Sequence, residues 1–455
     1  MTRALIALAL TTATASAHAG GFGIPEIGVR RTGMASIVGR PDDPSAIYHN
    51  PAGLVLQDGW NLYVSCGLSL IDTQFSLSPW TDTLNDGSTV SSDMYLGTHA
   101  GSNGYYAPIK PTRAFGVIPM IAATAELLPK RLYAGAGIYV GNATGAAFGE
   151  NSVARYHLID GYIVAPQAVL SAAYRIAPSI SVGLTAGVIN MRVHGRRLFY
   201  PIVRNKDGTT TDASAIVGDA ADLTLDGSAW APTWVAGVFG QPHPRITWGA
   251  TITGRTDATL SGPVKVVPSK LTIDTDGDGV PDAPDVLLGS QKTTQLLPWA
   301  FMAGANVDVT PNVEIGLEYR YWLYRQYEKQ HTDVTGIFLV RELETIKNFH
   351  DSWETSGGVR VHGLRALPGV DLMTGMQYDH SPAPPSTLTL DQPSFSHFGF
   401  HSGVRYAFGR YRVGASYVHY WYRIPTVDNS ITAPPTNFSG QGANNIVTAS
   451  LEVKL

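Results

Sequence analysis

From residue 58 to the C terminus, apolar and polar residues alternate one by one in long stretches. Leu62, Val64, Cys66, Leu68 and Leu70 oppose Asn61, Tyr63, Ser65, Gly67 and Ser69. Further on, Ile180, Val182, Leu184, Ala186 and Val188 oppose Ser181, Gly183, Thr185 and Gly187, and Val313 to Tyr321 repeats the pattern. The chain ends on it, with Val447, Ala449, Leu451, Val453 and Leu455 against Thr448, Ser450, Glu452 and Lys454. In an extended strand such alternation puts the two kinds of side chain on opposite faces. A soluble sandwich alternates too, but many of these stretches reach the roughly 9–11 residues that a tilted strand needs to cross a bilayer core.

Composition fits the same solution. Charged residues are 15% of the 455, against about 25% in soluble chains. Mean hydropathy is +0.00, and no uninterrupted apolar run of about 18 residues follows the N terminus. A helical membrane protein is excluded, and a chain that enters a membrane without helices must do so as a closed barrel. Glycine (48) and tyrosine (21) are abundant, as suits a transmembrane barrel. A net charge of −4 argues against nucleic acid as a partner, and the single Cys66 excludes an internal disulfide or a cysteine metal cluster.

Residues 1–19 read as a secretory signal peptide: Arg3 in front, the apolar Ala4–Leu10, then Ala17-His18-Ala19 as a small-x-small cleavage site before Gly20. Strands are expected at roughly 58–77, 111–126, 131–143, 156–176, 179–198, 221–240, 245–262, 293–309, 312–329, 348–362, 369–380, 395–408, 410–424 and 445–455. That is an even number, 14, as in single-chain bacterial barrels. Connections after even strands are short and those after odd strands long and polar, which assigns the short turns to the periplasm and the long loops to the cell exterior. Residues 20–57 break the pattern. They are rich in Gly and Pro, with a short helix expected over Asp42–Tyr48, capped by Asp42 or Asp43 with Pro44 in its first turn. This segment could be a tail, a periplasmic arm or a plug.

Gly33 to Gly39 followed by Asp42 to Leu54, with Asn50-Pro51-Ala52 at its centre, resembles the N-terminal hatch of the FadL/TodX (OMPP1) family of outer-membrane transporters for long-chain fatty acids and aromatic hydrocarbons. Met376 to Pro384 is similar to that family's YDxSPxP segment, and Asp351-Ser352-Trp353 to its DSW strand start. The chain departs from the family at its last residue, Leu455, where an aromatic usually ends the barrel-assembly signal. The resemblance implies an all-β, 14-stranded antiparallel transmembrane β-barrel (58–455) whose lumen is plugged by a hatch (20–57). It implies passive uptake of hydrophobic compounds through a lumenal pocket near the mature N terminus, with lateral exit at a kink in the third strand. The expected setting is the outer membrane of a Gram-negative bacterium. Expected partners are outer-membrane lipid, lipopolysaccharide, the barrel-assembly machinery and a hydrophobic small molecule, with the barrel acting as a monomer.

On that reading Phe22 and Ile24 are either ligand-contacting apolar tips or packing residues of the plug. Gly137, Gly141 and Gly145 in the third strand either form the kink of a lateral opening or make room for the hatch, since glycine inside a strand marks a bulge or a close approach. The lumenal charges Glu314, Glu318, Arg320, Arg245 and Arg255 are expected to hold the hatch. A general porin or an adhesive surface barrel is the alternative; a porin would not need the hatch motif.

Asp274, Asp276, Asp278, Asp282 and Asp285 fall at positions 1, 3, 5, 9 and 12 of a twelve-residue loop, with Gly279 at 6 and Val280 at 7, where a main-chain carbonyl serves as ligand. Alternate carboxylates can converge on one Ca²⁺, and the loop after strand seven should be extracellular. Asp285 stands where a bidentate Glu is usual, and no helices flank the loop. Catalysis is not expected. His350-Asp351 and Asp379-His380 are neighbours on strands and point to opposite faces, and no Gly-x-Ser-x-Gly elbow occurs.

Overall fold

A computed structural model describes residues 23–112, 114–200, 202–204, 210–212, 221–267, 286–337 and 341–455. The alternation resolves in the first strand, β1 (Trp60–Leu77): Leu62, Val64, Leu68 and Leu70 are exposed while Asn61, Ser65 and Ser69 are buried. Apolar outside and polar inside is the arrangement a lipid-facing wall requires. The strands β2 (Phe115–Leu128), β3 (Leu132–Ala147), β4 (Asp160–Ala177), β5 (Ile180–Leu198) and β6 (Asp222–His243) follow. Next come β7 (Ile246–Thr253 continued by Thr256–Val267) and β8 (Leu287–Leu297 continued by Ala300–Thr310). Then come β9 (Val313–Trp322 continued by Lys329–Thr335) and β10 (Glu342–Ile346 continued by Ser352–Val361). The last four are β11 (Val370–Asp379), β12 (Ser396–Phe408), β13 (Tyr411–Arg423) and β14 (Phe438–Lys454).

Each strand pairs antiparallel with its neighbours, and β1 closes the ring on β14 from Asn61↔Lys454 to Leu77↔Phe438. The result is a closed barrel of 14 strands, with no free edge. No helix among the described residues is long and apolar enough to cross a membrane.

Short turns join the even strands to the next odd ones. Gly409, at φ 55°, makes one of the two-residue turns, between β12 and β13. Several strands run further toward the long-loop end than expected: β8 begins at Leu287, β10 at Glu342 and β14 at Phe438. The ladder continues there above the apolar band, where polar side chains on both faces hide the alternation.

Residues 23–57 lie against the inner wall. The segment contains α1 (Val29–Met34), α2 (Ala46–His49) and a 3₁₀ turn (Pro51–Leu56). The helix expected over 42–48 is shorter than that. Ser45 precedes it without a side-chain cap, and the Asp43 carboxylate instead accepts the Ser45 backbone N–H at 3.0 Å in the turn before it.

Candidate functional site

The N-terminal segment is tied to the barrel by ion pairs and by glycines. Arg30 donates to Glu314 at 2.6 Å, and Arg31 to Glu354 at 2.5 Å and Gln377 at 2.9 Å, all of them buried. The Glu318 carboxylate accepts the backbone N–H groups of Ile37 and Val38, each at 2.7 Å, and pairs with Arg320 at 2.6 Å. Asp42 receives Arg360 at 2.7 Å and Arg405 at 3.0 Å. Burial alone would raise the Asp42 carboxyl, but Arg405, Arg30 and Arg360 hold it well below the usual carboxylate range. Arg245 and Arg255 do not take part. Both are exposed, and Arg255 pairs with Asp257 on its own strand. Asp308, Glu314 and His362 converge closely enough to suggest a metal site. Arg40 and Arg360 already neutralise those carboxylates at 2.7 and 2.5 Å, so the cluster works as an ion-pair network.

Asn50 is the centre of a second anchor. Its Oδ1 accepts from Ala52 N–H at 3.1 Å, capping the 3₁₀ turn with Pro51 at its start. Its Nδ2 donates to the carbonyls of Val38 and Val238, each at 3.1 Å. The wall beneath is glycine by necessity. A Cβ at Gly183 would sit 2.4 Å from Ala52 N, one at Gly237 2.3 Å from Asn50 Oδ1, and one at Gly249 2.2 Å from the Val38 carbonyl. Asn50, Pro51 and Ala52 therefore dock on β5, β6 and β7 as a rigid block.

The third strand is irregular where it meets this segment. The β2–β3 ladder runs from Leu128↔Leu132 to Met120↔Tyr139 and stops there. Beyond it, Phe115–Pro119 pairs with β1 alone, and Val140–Ala147 with β4 alone. The register of β3 against β4 shifts between Val140 and Asn142, so Gly141 is the extra residue of a bulge. Val140, just before it, faces Pro166, which has no N–H to give. The open edge is met from inside. Ile24 N–H donates to the Gly141 carbonyl at 2.9 Å, Gly23 bridges to Asn142, and Tyr48 Oη donates to the Ile24 carbonyl at 3.1 Å. Thr112 N–H on the Ala147 carbonyl, at 2.6 Å, closes the top of the gap.

The other two glycines are not bulge residues, although Gly145 lies in the same stretch without β2 pairing and lines a small cavity with Ile71, Thr73 and Phe75 of β1. Gly137 lies within the intact ladder, opposite Ala122. Gly145 packs on β4, where a Cβ would come 2.4 Å from the Gly161 carbonyl. Ile24 is buried in the apolar core, and Phe22 lies outside the described residues. So do the signal segment and the loop of Asp274, Asp276, Asp278, Val280, Asp282 and Asp285.

Two of the larger cavities among the described residues lie inside the barrel. One, about 70 Å³, is lined by Gly23, Tyr48, Tyr139, Asn142 and Trp322, beside the bulge. The other, about 150 Å³, lies toward the long loops. Leu158, Ile163, Leu223 and Leu225 line its apolar side, and His157, Arg197, Asp391 and Gln392 its polar side. Asp391 acts electrostatically on both Arg197 and the fully buried Lys347. Burial, reinforced by the Arg197 charge, pushes the His157 imidazole down to about 3, so it is neutral. One apolar cluster joins the two cavities: Ile163, from the larger, packs in it with Trp322 and Tyr324, from the smaller.

None of these polar residues was singled out by the sequence. Alternation marks the inner face only where the outer face meets lipid, and they lie above that band. The docking glycines left a fainter signal, as inward glycines repeated along strands that face the N-terminal segment.

Solved structures share this architecture. A FadL homologue from Pseudomonas aeruginosa superposes with a TM-score of 0.76 at 14% identity, over 95% of this chain and 99% of that one. The toluene transporter TodX of Pseudomonas putida gives 0.67 at 14%, over 96% and 99%. The toluene transporter TbuX of Ralstonia pickettii gives 0.63 at 15%, over 96% and 99%. A search of curated protein sequences gave no match. Residues 10–452 match the family described as outer membrane protein transport protein (OMPP1/FadL/TodX), and the chain belongs to that family of outer-membrane channels for hydrophobic compounds.

Proposed function

We propose that this barrel takes up long-chain fatty acids or related hydrocarbons passively, binding them in the lumen and releasing them sideways into the membrane. Residues 20–57 act as a hatch. The observation that carries this reading is the break in the β2–β3 ladder, filled from inside by Gly23 and Ile24. An apolar molecule gains nothing from a watery channel, because leaving a nonpolar site for water costs about 25 cal/mol per Å² of apolar surface. A route from apolar cavity to apolar cluster to a gap facing lipid avoids that cost.

In this scheme Arg197, with Asp391 beside it, holds the anionic head, and the leucines that line the same cavity hold the start of the chain. A hydrocarbon without a head would use the apolar wall alone. The ligand then passes the smaller cavity as the tip bearing Phe22 and Ile24 moves, and leaves beside Gly141. The surrounding lipid and lipopolysaccharide, assembly by the barrel-assembly machinery and function as a monomer are part of the same proposal. So is a structural Ca²⁺ on Asp274, Asp276, Asp278, Val280, Asp282 and Asp285, which rests on their spacing.

The test is to measure planar-bilayer conductance and cellular uptake for the native chain and a variant lacking residues 20–57. Hatch function predicts low conductance that rises severalfold on deletion, together with fatty-acid uptake by the native chain. High conductance from the native chain would make it a porin.

A further inference from the structure

A hydrogen-bond chain ends in the larger cavity, and its direction is set by a carbonyl at its far end. It is a relay of amides. Gln295 Nε2 donates to the Leu296 carbonyl at 3.4 Å, and a carbonyl can only accept, so Gln295 Oε1 points the other way. There it receives Tyr327 Oη at 3.3 Å and Gln330 Nε2 at 3.0 Å. Gln330 Oε1 is thereby turned toward Gln392 and accepts its Nε2 at 3.5 Å. Gln392 is buried, and its Oε1 is left without a partner among the described residues, at the cavity wall. Flipping this last amide would set two carbonyl oxygens against each other.

Beside it, His157 lines the same cavity and meets Thr436 Oγ1 through Nδ1 at 3.2 Å, within a cluster of the Ser430, Thr432 and Thr436 hydroxyls. Its Nε2 is buried and unpartnered among the described residues.

We infer that the head of the preferred ligand carries a hydrogen-bond donor beside its anionic group, and that Gln392 Oε1 selects it: the ligand class is a hydroxylated long-chain acid. This inference rests on the reading of the larger cavity as the head-group site. A plain carboxylate offers acceptors only. It would satisfy Arg197 and leave Gln392 Oε1 unpaired, and a buried acceptor left unsatisfied is costly. A hydroxyl near the carboxylate donates to it. Sites built to bond a substrate hydroxyl discriminate strongly against the analogue that lacks it.

The experiment compares 3-hydroxyhexadecanoate with hexadecanoate as competitors for a fluorescent fatty acid on the purified full-length protein in detergent. The hydroxy acid should bind at least about tenfold more tightly. In a Gln392→Leu variant that keeps its heat-dependent gel shift, the preference should fall below about twofold, with binding of the plain acid retained. Equal affinity of the native protein for both acids overturns the inference and leaves the head-group reading standing. So does an unchanged preference in the Gln392→Leu variant. If the native protein binds neither acid, the head-group reading fails and this inference with it. The native comparison needs no variant to fold.

Discussion

Replacing Asn50 with alanine should loosen the N-terminal segment while leaving the barrel closed. The side chain makes three hydrogen bonds: the cap from Ala52 N–H and two donations, to Val38 O and Val238 O, all at 3.1 Å. Losing an N-cap costs about 1 kcal/mol. Each of the two carbonyls left without its donor adds roughly another 1 kcal/mol. The sum, about 3 kcal/mol, multiplies the displaced population by about 150. Hydrogen exchange reads this directly, since the Ile37 and Val38 amides are protected by Glu318 only while the segment is seated. Those amides should exchange about two orders of magnitude faster in Asn50→Ala, while amides of the β1–β14 ladder stay unchanged. Asn50→Asp keeps the cap acceptor but sets a carboxylate against two carbonyl oxygens, so it should loosen the segment at least as much. Unaltered exchange at Ile37 and Val38 in both variants would refute the assignment of Asn50 as an anchor.

Four further outcomes follow. Gly141→Leu places a side chain against Tyr48 and Gln167, whose atoms lie 3.1 and 3.0 Å from the added Cβ. Uptake of a long-chain acid should fall severalfold in an inserted barrel, and native uptake would rule out exit there. Gly145 is unsuited to this test, because any side chain meets the β4 backbone. Arg197→Met should weaken binding of an anionic amphiphile by about tenfold or more and spare its alcohol analogue; equal losses would remove Arg197 from head-group recognition. Asp276→Ala with Asp278→Ala should abolish calorimetric Ca²⁺ binding, expected at roughly 10⁻⁴–10⁻³ M; silence from the native chain at millimolar Ca²⁺ would end that proposal. The fourth concerns pH. A carboxyl whose folded value is depressed contributes stability above its unfolded value of about 3.9, lost as pH falls through the folded value. Asp42 is such a group, so its contribution to seating the N-terminal segment persists from pH 7 to about pH 4 and is lost below. His49 in the same segment is pushed down to about 3 by burial, so protection should also decline gradually as pH falls below about 6.5, and a profile flat from pH 7 to about pH 5 would show that His49 stays buried when the segment moves.

The barrel was legible because lipid enforces alternation. Leu62 exposed beside Asn61 buried is a pattern that a soluble core would reverse, and it recurs strand after strand. The turns were legible because even connections are short. Legibility ended where that enforcement ended. Above the apolar band the strand ends at Leu287 and Glu342 were missed, and with them Arg197, Lys347, Asp391 and Gln392, which no periodicity marks. Arg245 carries the same charge as Arg320, yet one is exposed at a turn and the other buried beneath the N-terminal segment. Strand phase separates two such residues only when the register is known to a single position. Gly137, Gly141 and Gly145 looked alike for the same reason: only pairing shows which of them is the extra residue.

The strength of the N-terminal attachment is distributed unevenly, and the distribution bears on how a passive transporter can open. From Arg30 to Leu56 the segment is held by buried ion pairs and by the Asn50 block on close-fitting glycines, so displacing it whole would break many contacts at once. Its tip is held lightly. Ile24 has one ladder bond to Gly141 and one from Tyr48, plus the burial of its own side chain. Two hydrogen bonds contribute about 2 kcal/mol together, and a buried isoleucine about 2 more. A tip worth about 4 kcal/mol is open roughly one time in a thousand without ligand. A ligand that fills the vacated apolar volume regains most of what Ile24 gives up, and it shifts the population by that difference. Opening at the tip therefore needs no energy input and leaves the ion-paired block seated. In the proposed scheme the gap beside Gly141 would thus open to lipid without turning the lumen into a pore.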